Sequence, residues 1–585
     1  MPEQSFEIYD RKVLIKIKGH ICETADELFS SDLFRSVLNH CISQLQRHDS
    51  YLLSVFQSKT IREEDVDQLI QTFIFLSKMK SALVPNIVKS AAVFLKDEAL
   101  LNEFVEYLYN FWRSYDRFLV CESEENRLDK RPYRVFNNTI EQLTHLIRAV
   151  YRDIQENITG SHPKIYRQIR AGAEIAAITV RTTYRFSQKE YRKLNEIPFI
   201  RQMLIYPPLI LNPSMNKRKG VFERTPKNPL AGISLEKNDW LCYPAKVGAL
   251  VIFIYFHKKF YELGFSLCNL FEMADDREIK RKPDAVYCFG VPGDSGRPEK
   301  NPTVFYEDEK NDLLVATVPN DDEFGYFGYL KKMALTLHNI CMMKLGALPF
   351  HGALVHVMLP EGINATVLLI GDTGAGKSET LEALRDFGKD EIRDMIVIAD
   401  DMGSVRIDKA DGILGYGTET GAFLRLDDLK PGYAFGQIDR AIIMSPNKVN
   451  ARIILPVTTF DRVISGYPVD CILYVNNYEE VDADHPVIEK ITDVDSALRI
   501  FREGTVMSKG TTSATGLVHS YFANVFGPTQ YRELHDKLAR KYFKKFFERK
   551  IFMGQMRTRL GIPGYERKGP EASARELLNL IVNGL

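Results

Sequence analysis

Apolar residues recur three and four positions apart over residues 30–45, 66–95, 98–115 and 138–154, a spacing that predicts amphipathic helices. Ser30 and Ser31 are placed to cap the first of these, and Pro85 is expected to kink or end the second. The reading for residues 1–195 is therefore an all-α accessory domain, suited to docking a protein partner or a second copy of the chain. Over 179–220 the prolines Pro198, Pro207, Pro208 and Pro213 mark a linker or an irregular edge. The texture then changes to short apolar runs broken by turns, at 241–256, 283–296 and 302–319. Residues 292–302 read as a turn-rich surface loop. A glycine-aromatic segment at 321–344 feeds a helix with Met333, Leu337, Ile340 and Cys341 along one face. These pieces make a mixed α/β lobe over 196–345. From 346 to 585 strands and helices alternate, as in an α/β nucleotide-binding domain, and helices over 531–550 and 571–585 close it.

Size and charge narrow the classes. A chain of 585 residues with 45% hydrophobic content has room for two or three domains with sizeable cores. Lysine plus arginine equals aspartate plus glutamate at 77 each, so no global field draws nucleic acid or an acidic membrane. The N-terminal stretch lacks the apolar core of a signal peptide, and the run at 247–256 is too short to span a bilayer and reads as a buried strand. Eight cysteines without a C-x-x-C pair read as buried reduced thiols in a cytoplasmic protein. The basic stretch 532–550 interleaves its charges with Leu538, Tyr542, Phe546 and Phe547, the pattern of an amphipathic helix with a solvated face.

Chemistry concentrates in residues 348–401. Gly371, Asp372, Thr373, Gly374, Ala375, Gly376, Lys377 and Ser378 fit G-x-x-x-x-G-K-[ST] at every fixed position, and Glu379 follows. The β-branched run 366–370 leads in and a helix-forming run, 379–387, leads out. Such a loop wraps a polyphosphate with its backbone N–H groups at the start of a helix. Lys377 is then expected to reach the β- and γ-phosphates of ATP, and the Ser378 hydroxyl to ligate Mg²⁺. A second apolar strand, 395–399, is expected to end in Asp400 and Asp401, where a metal-bound nucleotide needs carboxylates.

Four matches in order make the C-terminal ~370 residues resemble the ATP-dependent phosphoenolpyruvate carboxykinases. Residues 325–332, GYFGYLKK, resemble that family's Y-G-G-E-x-K-K segment. His351 follows Lys332 by nineteen residues within LPFHGALV, resembling M-H-C-S-A-N. The P-loop with its acid pair is the third match, and Asn450-Ala451-Arg452-Ile453 resembles N-T-R-V. The closing segments over 496–538 agree in order and spacing, and Arg224-Thr225-Pro226-Lys227-Asn228 is similar to R-S-P-K-D. GDTGAGKSE, with a preceding H-G-A-L-V and a following I-A-D-D, also resembles HPr kinase, a bacterial protein-serine kinase.

The resemblance implies a carboxykinase-like α/β body and a metal-dependent phosphoryl transfer from ATP. Lys332, His351 and Asp401 (or Asp400) would hold Mn²⁺; a lysine ligand needs a lowered pKa, because ammonium has no lone pair to give. Arg452 would lie over the transferring phosphoryl group, while Arg224, Tyr326 and Gly328 would meet a small carboxylic acid. In the carboxykinase version oxaloacetate and ATP give phosphoenolpyruvate, CO₂ and ADP. In the kinase version Asp400 or Asp401 takes the proton of a hydroxyl on a protein serine or a small molecule. A third expectation is a nucleotide-sensing regulator with weak chemistry. Several positions depart from the carboxykinase pattern: Glu379 replaces a threonine, Arg425 a lysine, and residues 510–513 lack a glutamate. Arg567 and Ser573 match the adenine-side tail only loosely. The departures fall around the acceptor, as in an enzyme whose substrate has changed.

Overall fold

The computed structural model describes residues 5–17, 22–58, 60–122, 130–166, 168–181, 184–218, 221–293, 302–387, 391–426, 435–508, 516–525 and 529–585. Two compact units result: Met1–Val180 with Ile200–Tyr206, and Arg181–Phe199 with Pro207–Leu585. The chain leaves the first unit after Val180 and returns to it only for Ile200–Tyr206. Most of the expected 292–302 loop and all of 510–513 lie outside the described residues.

The first unit is α/β, not all-α. It opens on a hairpin, Ser5–Tyr9 antiparallel to Lys12–Ile17. Lys12–Ile17 runs parallel to Asp116–Glu122, which runs parallel to Ile175–Val180. Parallel neighbours need crossovers, and the helices Asp32–Arg47, Glu63–Leu76, Glu98–Arg113 and Lys130–Thr159 provide them. The inner strands escape a periodicity reading because they are short and buried on both faces. Val13, Leu14, Phe118, Leu119 and Val120 are all buried, so no alternation marks them. The helices sit where their spacing predicts. Ser31 Oγ accepts from the Phe34 amide at 3.2 Å as the cap of the first. The second ends at Leu76, well before Pro85, which falls in the 3₁₀ turn Ser81–Asn86.

In the second unit the apolar run at 247–256 spans the turn of a hairpin rather than one strand. Trp240–Val247 pairs antiparallel with Leu250–His257. Gly248 makes the turn at φ +56°, and a Cβ there would lie 2.9 Å from His338 Nε2. Leu250–His257 continues in parallel to Ala285–Val291, and that strand to Leu313–Pro319. An eight-stranded sheet carries the strand that leads into the 371–378 loop and the strand that bears Asp400 and Asp401. Its order is Tyr467–Pro468, Ile413–Gly417, Asp394–Ile407, Leu348–Met358, Asn364–Ile370, Cys471–Asn476, Phe552–Arg557 and Ile488–Lys490. A four-stranded sheet, Gly421–Arg425, Arg452–Pro456, Ile442–Met444 and Leu209–Leu211, supplies the arginines discussed below. The basic stretch forms the helix Arg532–Glu548, burying Leu538, Tyr542, Phe543 and Phe546 on one face. Among the described residues no helix is long and apolar enough to cross a membrane.

Two histidines of this unit are buried as neutral rings. His535 lies between the Tyr521 hydroxyl, 3.0 Å from Nδ1, and the Pro349 carbonyl, 3.1 Å from Nε2. His338 Nδ1 lies 3.0 Å from Asn339 Oδ1. Burial pushes both down to about 4, against a modest opposing pull from Asp536 on His535 and with help from Arg406 on His338. A folded pKa below the unfolded value means that the unfolded chain takes up protons the folded chain refuses. Stability is therefore expected to fall as pH drops from about 6.5 towards 4, by up to roughly 1.4 kcal/mol per histidine per pH unit. Urea unfolding at pH 7 and pH 5 checks this, and His535→Gln should flatten the dependence. An unchanged slope in that variant would remove His535 as a cause.

Candidate functional site

The strand Asn364–Ile370 is flanked by Leu348–Met358 and by the parallel strand Cys471–Asn476, so its C-terminal end delivers the chain into the loop at a fixed point. The loop turns on Gly374 (φ +81°) and Gly376 (φ +101°), and the helix Lys377–Arg385 begins directly after it. A Cβ on Gly376 would lie 2.6 Å from Thr558 Oγ1. That hydroxyl donates to the Ala375 carbonyl at 2.6 Å, and Asn477 Nδ2 donates to the Gly374 carbonyl at 2.9 Å. Lys377 Nζ folds back onto the carbonyls of Gly371 (2.6 Å) and Asp372 (3.1 Å). Asp372 Oδ1 accepts from the Thr373 amide at 2.7 Å. Ser378 and Glu379 occupy the first helical turn, half-buried. The P-loop is thus a braced structure. Its braces Thr558 and Asn477, 183 and 103 residues from the carbonyls they hold, carry no local sequence signal.

Beside the loop, His351 lies on Leu348–Met358 and the acid pair on Asp394–Ile407. The strand does not end at the acids as expected: it continues to Ile407, with Asp400 opposite Ala353 and Asp401 opposite Gly352. A register shift sits just before them, where Leu354 pairs Ala399 but Val355 pairs Val397. Such bulges re-aim side chains. His351 Nε2 lies 2.6 Å from Asp401 Oδ1. Lys331 Nζ lies 3.3 Å from Asp401 Oδ2 and 3.1 Å from Glu419 Oε1. Burial works against the Asp401 anion, but His351 and Lys331 outweigh it and hold the carboxyl well below its usual range. Asp400, packed in protein beside the Asp401 charge, is pushed up to about 6 despite Lys377. Lys331 is held up by Glu419 and Asp401 against its burial. Lys332 behaves oppositely: burial, then Arg218 and Lys331, bring it down to about 8.

His351 Nδ1 faces the Ala523 carbonyl, presented by a left-handed turn of three non-glycine residues: Phe522 (φ 46°), Ala523 (φ 54°) and Asn524 (φ 63°). Such a run costs of order 1–3 kcal/mol per residue and persists only where packing imposes it. Here the Phe522 ring is buried against His535 and Phe543. The outcome is a fixed orientation for His351, with Nε2 turned to Asp401.

The expected substrate-side residues divide. Tyr326 is buried at the start of the helix Phe327–Lys344, hydrogen-bonded to Arg452. Gly328 lets its ring lie close, since a Cβ there would meet Tyr326 Cε1 at 2.3 Å. Arg452 stacks 5.3 Å from the Phe423 ring, directly across the ladder from Arg425. Opposed guanidinium groups repel, an arrangement that suits a shared anion. Arg224 is elsewhere. It pairs with Glu307 at 3.2 Å, a carboxylate also held by Lys344 and Tyr531. Lys344 is thirteen residues beyond Lys331 on one helix, roughly 20 Å at 1.5 Å per residue. The arginine beside Lys332 and Tyr326 is Arg218, which the sequence reading missed.

Among the described residues no three His, Cys, Asp or Glu side chains gather as a metal site. The expected set does not need three. It joins His351 and Asp401 to Lys332, whose pKa of about 8 lowers the cost of giving up its proton to a bound dication, so these residues fit a divalent ion. No protein-family model and no curated protein matches this chain.

Proposed function

We propose that the chain is an ATP- and divalent-metal-dependent phosphotransferase, carboxykinase-like in its machinery, which moves the γ-phosphoryl group to an oxygen of a small anionic acceptor. The observation that carries this is the convergence on one braced P-loop of a lysine whose ammonium form is weakened by burial, a histidine–aspartate pair and an arginine–tyrosine wall. Lys377 and the loop amides hold the β- and γ-phosphates, and Ser378 faces the nucleotide-bound Mg²⁺. Lys332, His351 and Asp401 would hold Mn²⁺, which supplies charge neutralisation at the transferring group and the acceptor oxygen. Arg452 orients the phosphoryl group, while Tyr326 and Arg218 take the acceptor's carboxylate.

Oxaloacetate is the first acceptor to test. Its loss of CO₂ leaves an enolate oxygen, which takes the phosphoryl group to give phosphoenolpyruvate and ADP. A coupled assay with ATP and Mn²⁺ is expected to show phosphoenolpyruvate formation. One observation favours a second reading: a carboxyl pushed up to about 6 beside Lys377, as Asp400 is, can receive the proton of a hydroxyl acceptor. ATP turnover only with serine-bearing or small hydroxyl acceptors would select that kinase. ATP binding with no turnover on any acceptor would leave the regulator.

A further inference from the structure

The P-loop is hydrogen-bonded to itself. Lys377 Nζ donates to the carbonyls of Gly371 and Asp372, and the Ala375 amide donates to the Asp372 carbonyl at 3.1 Å. A polyphosphate competes for these donors. The Ala375 N–H and the Gly374 carbonyl belong to one planar trans peptide and point to opposite sides of it. Turning that N–H towards a phosphate therefore turns the carbonyl as well. Asn477, fully buried, holds this carbonyl: its Nδ2 donates to Gly374 at 2.9 Å. The same side chain grips Met507 in the strand Thr505–Ser508, with Nδ2 2.9 Å from the Met507 carbonyl and Oδ1 2.8 Å from its amide. Both N–H groups of Asn477 are thus committed, one to the loop and one to the strand.

That strand pairs antiparallel with Gly516–His519, and Thr505 Oγ1 lies 2.9 Å from His519 Nδ1. The left-handed turn follows directly. The Ser520 amide donates to the Gly504 carbonyl at 3.1 Å, and the Ala523 amide to the Ser520 carbonyl at 2.9 Å. The turn then presents the Ala523 carbonyl to His351 Nδ1. A connected run of hydrogen bonds leads from the peptide that a phosphate must turn to the atom that aims His351.

We propose that Asn477 is a positioning residue that couples the P-loop to His351, so that nucleotide binding orders the turn that aims the imidazole. The coupling rests on the phosphotransferase reading. By linkage, a metal held by His351 then tightens the nucleotide by the factor the nucleotide tightens the metal. Thr558 supplies the control, because its hydroxyl bonds the Ala375 and Asn476 carbonyls rather than Met507. The test is hydrogen exchange of the full-length protein in EDTA, read by mass spectrometry over residues 516–525, with ADP as the probe. At ADP concentrations that saturate each protein in calorimetry, exchange is expected to slow at least threefold in wild type and in Thr558→Val, and to stay unchanged in Asn477→Ala. Asn477→Ser, whose hydroxyl is too short to reach both partners, takes its place should the alanine variant not fold or not bind ADP. Bound ADP that does not slow exchange over 516–525 in wild type overturns the coupling and leaves the phosphotransferase standing. Slowing that survives in a folded Asn477 variant overturns the role of Asn477. Its loss in Thr558→Val as well overturns that role in favour of a general loosening of the loop. No ADP binding by the wild type overturns the phosphotransferase reading and the coupling together.

Discussion

Replacing Lys377 with alanine is expected to lower phosphoryl transfer by roughly 10³-fold or more. Phosphoryl transfer asks the protein for alignment and charge rather than covalent chemistry, so the loss of one well-placed cation falls on the transition state. Lys377 is 6% exposed and is held by the carbonyls of Gly371 and Asp372, which aims it along the inside of the loop. Those same bonds mean that alanine also loosens the loop, at about 1–2 kcal/mol of stability. Lys377→Met loses the charge and the same two bonds but keeps the packing of the unbranched stem, so it removes the cavity left by alanine from the comparison. Both variants should remain folded by circular dichroism and lose turnover alike, with ATP affinity weakened in titration calorimetry. Turnover within tenfold of wild type in Lys377→Met would sink the P-loop assignment, and with it the proposed donor.

The legibility of the site follows the range of its interactions. The P-loop is local: a strand, two glycines at positive φ and a helix start lie within a dozen residues, so spacing alone reveals it. Lys332, His351 and Asp401 come from a helix and two adjacent strands, and only their order and offset along the chain gave them away. Thr558 and Asn477 could not be read, because a hydroxyl or amide reaching a backbone carbonyl a hundred residues away has no periodicity and no motif. The Ala523 carbonyl is less visible still, being backbone presented by three residues of which none is glycine. Arg224 shows the opposite failure. Its local wording matched a substrate-binding segment, but the fold sends it to Glu307 and brings Arg218 to Lys332 instead. In the first unit the four long helices announced themselves by period, while strands of five to seven residues vanished among them.

Asp401→Asn is expected to lower Mn²⁺ affinity by at least 10- to 100-fold and transfer by a comparable or larger factor. The carboxylate sits between His351 on Oδ1 and Lys331 on Oδ2, and both favour its charged form. Asparagine preserves the shape and one acceptor oxygen but supplies no charge to a dication. Asp401→Ala should cost about 2–3 kcal/mol of stability, below the usual figure for a broken buried pair because the Asp401 side chain is 30% exposed. Glu419→Gln is the informative comparison. Glu419 shares Lys331 with Asp401, and its side chain is fully buried, so losing its charge should destabilise the protein. It does not touch His351 or Lys332 in the proposed ligand set, so Mn²⁺ affinity in that variant should change less than tenfold. Mn²⁺ titration followed by electron paramagnetic resonance, paired with urea unfolding, reads the two quantities separately. A ligand role moves affinity in Asp401→Asn beyond anything stability explains. Equal, small affinity losses in Asp401→Asn and Glu419→Gln would reduce Asp401 to the anion that keeps Lys331 and His351 buried, and would place the metal, if the protein uses one, on the nucleotide alone.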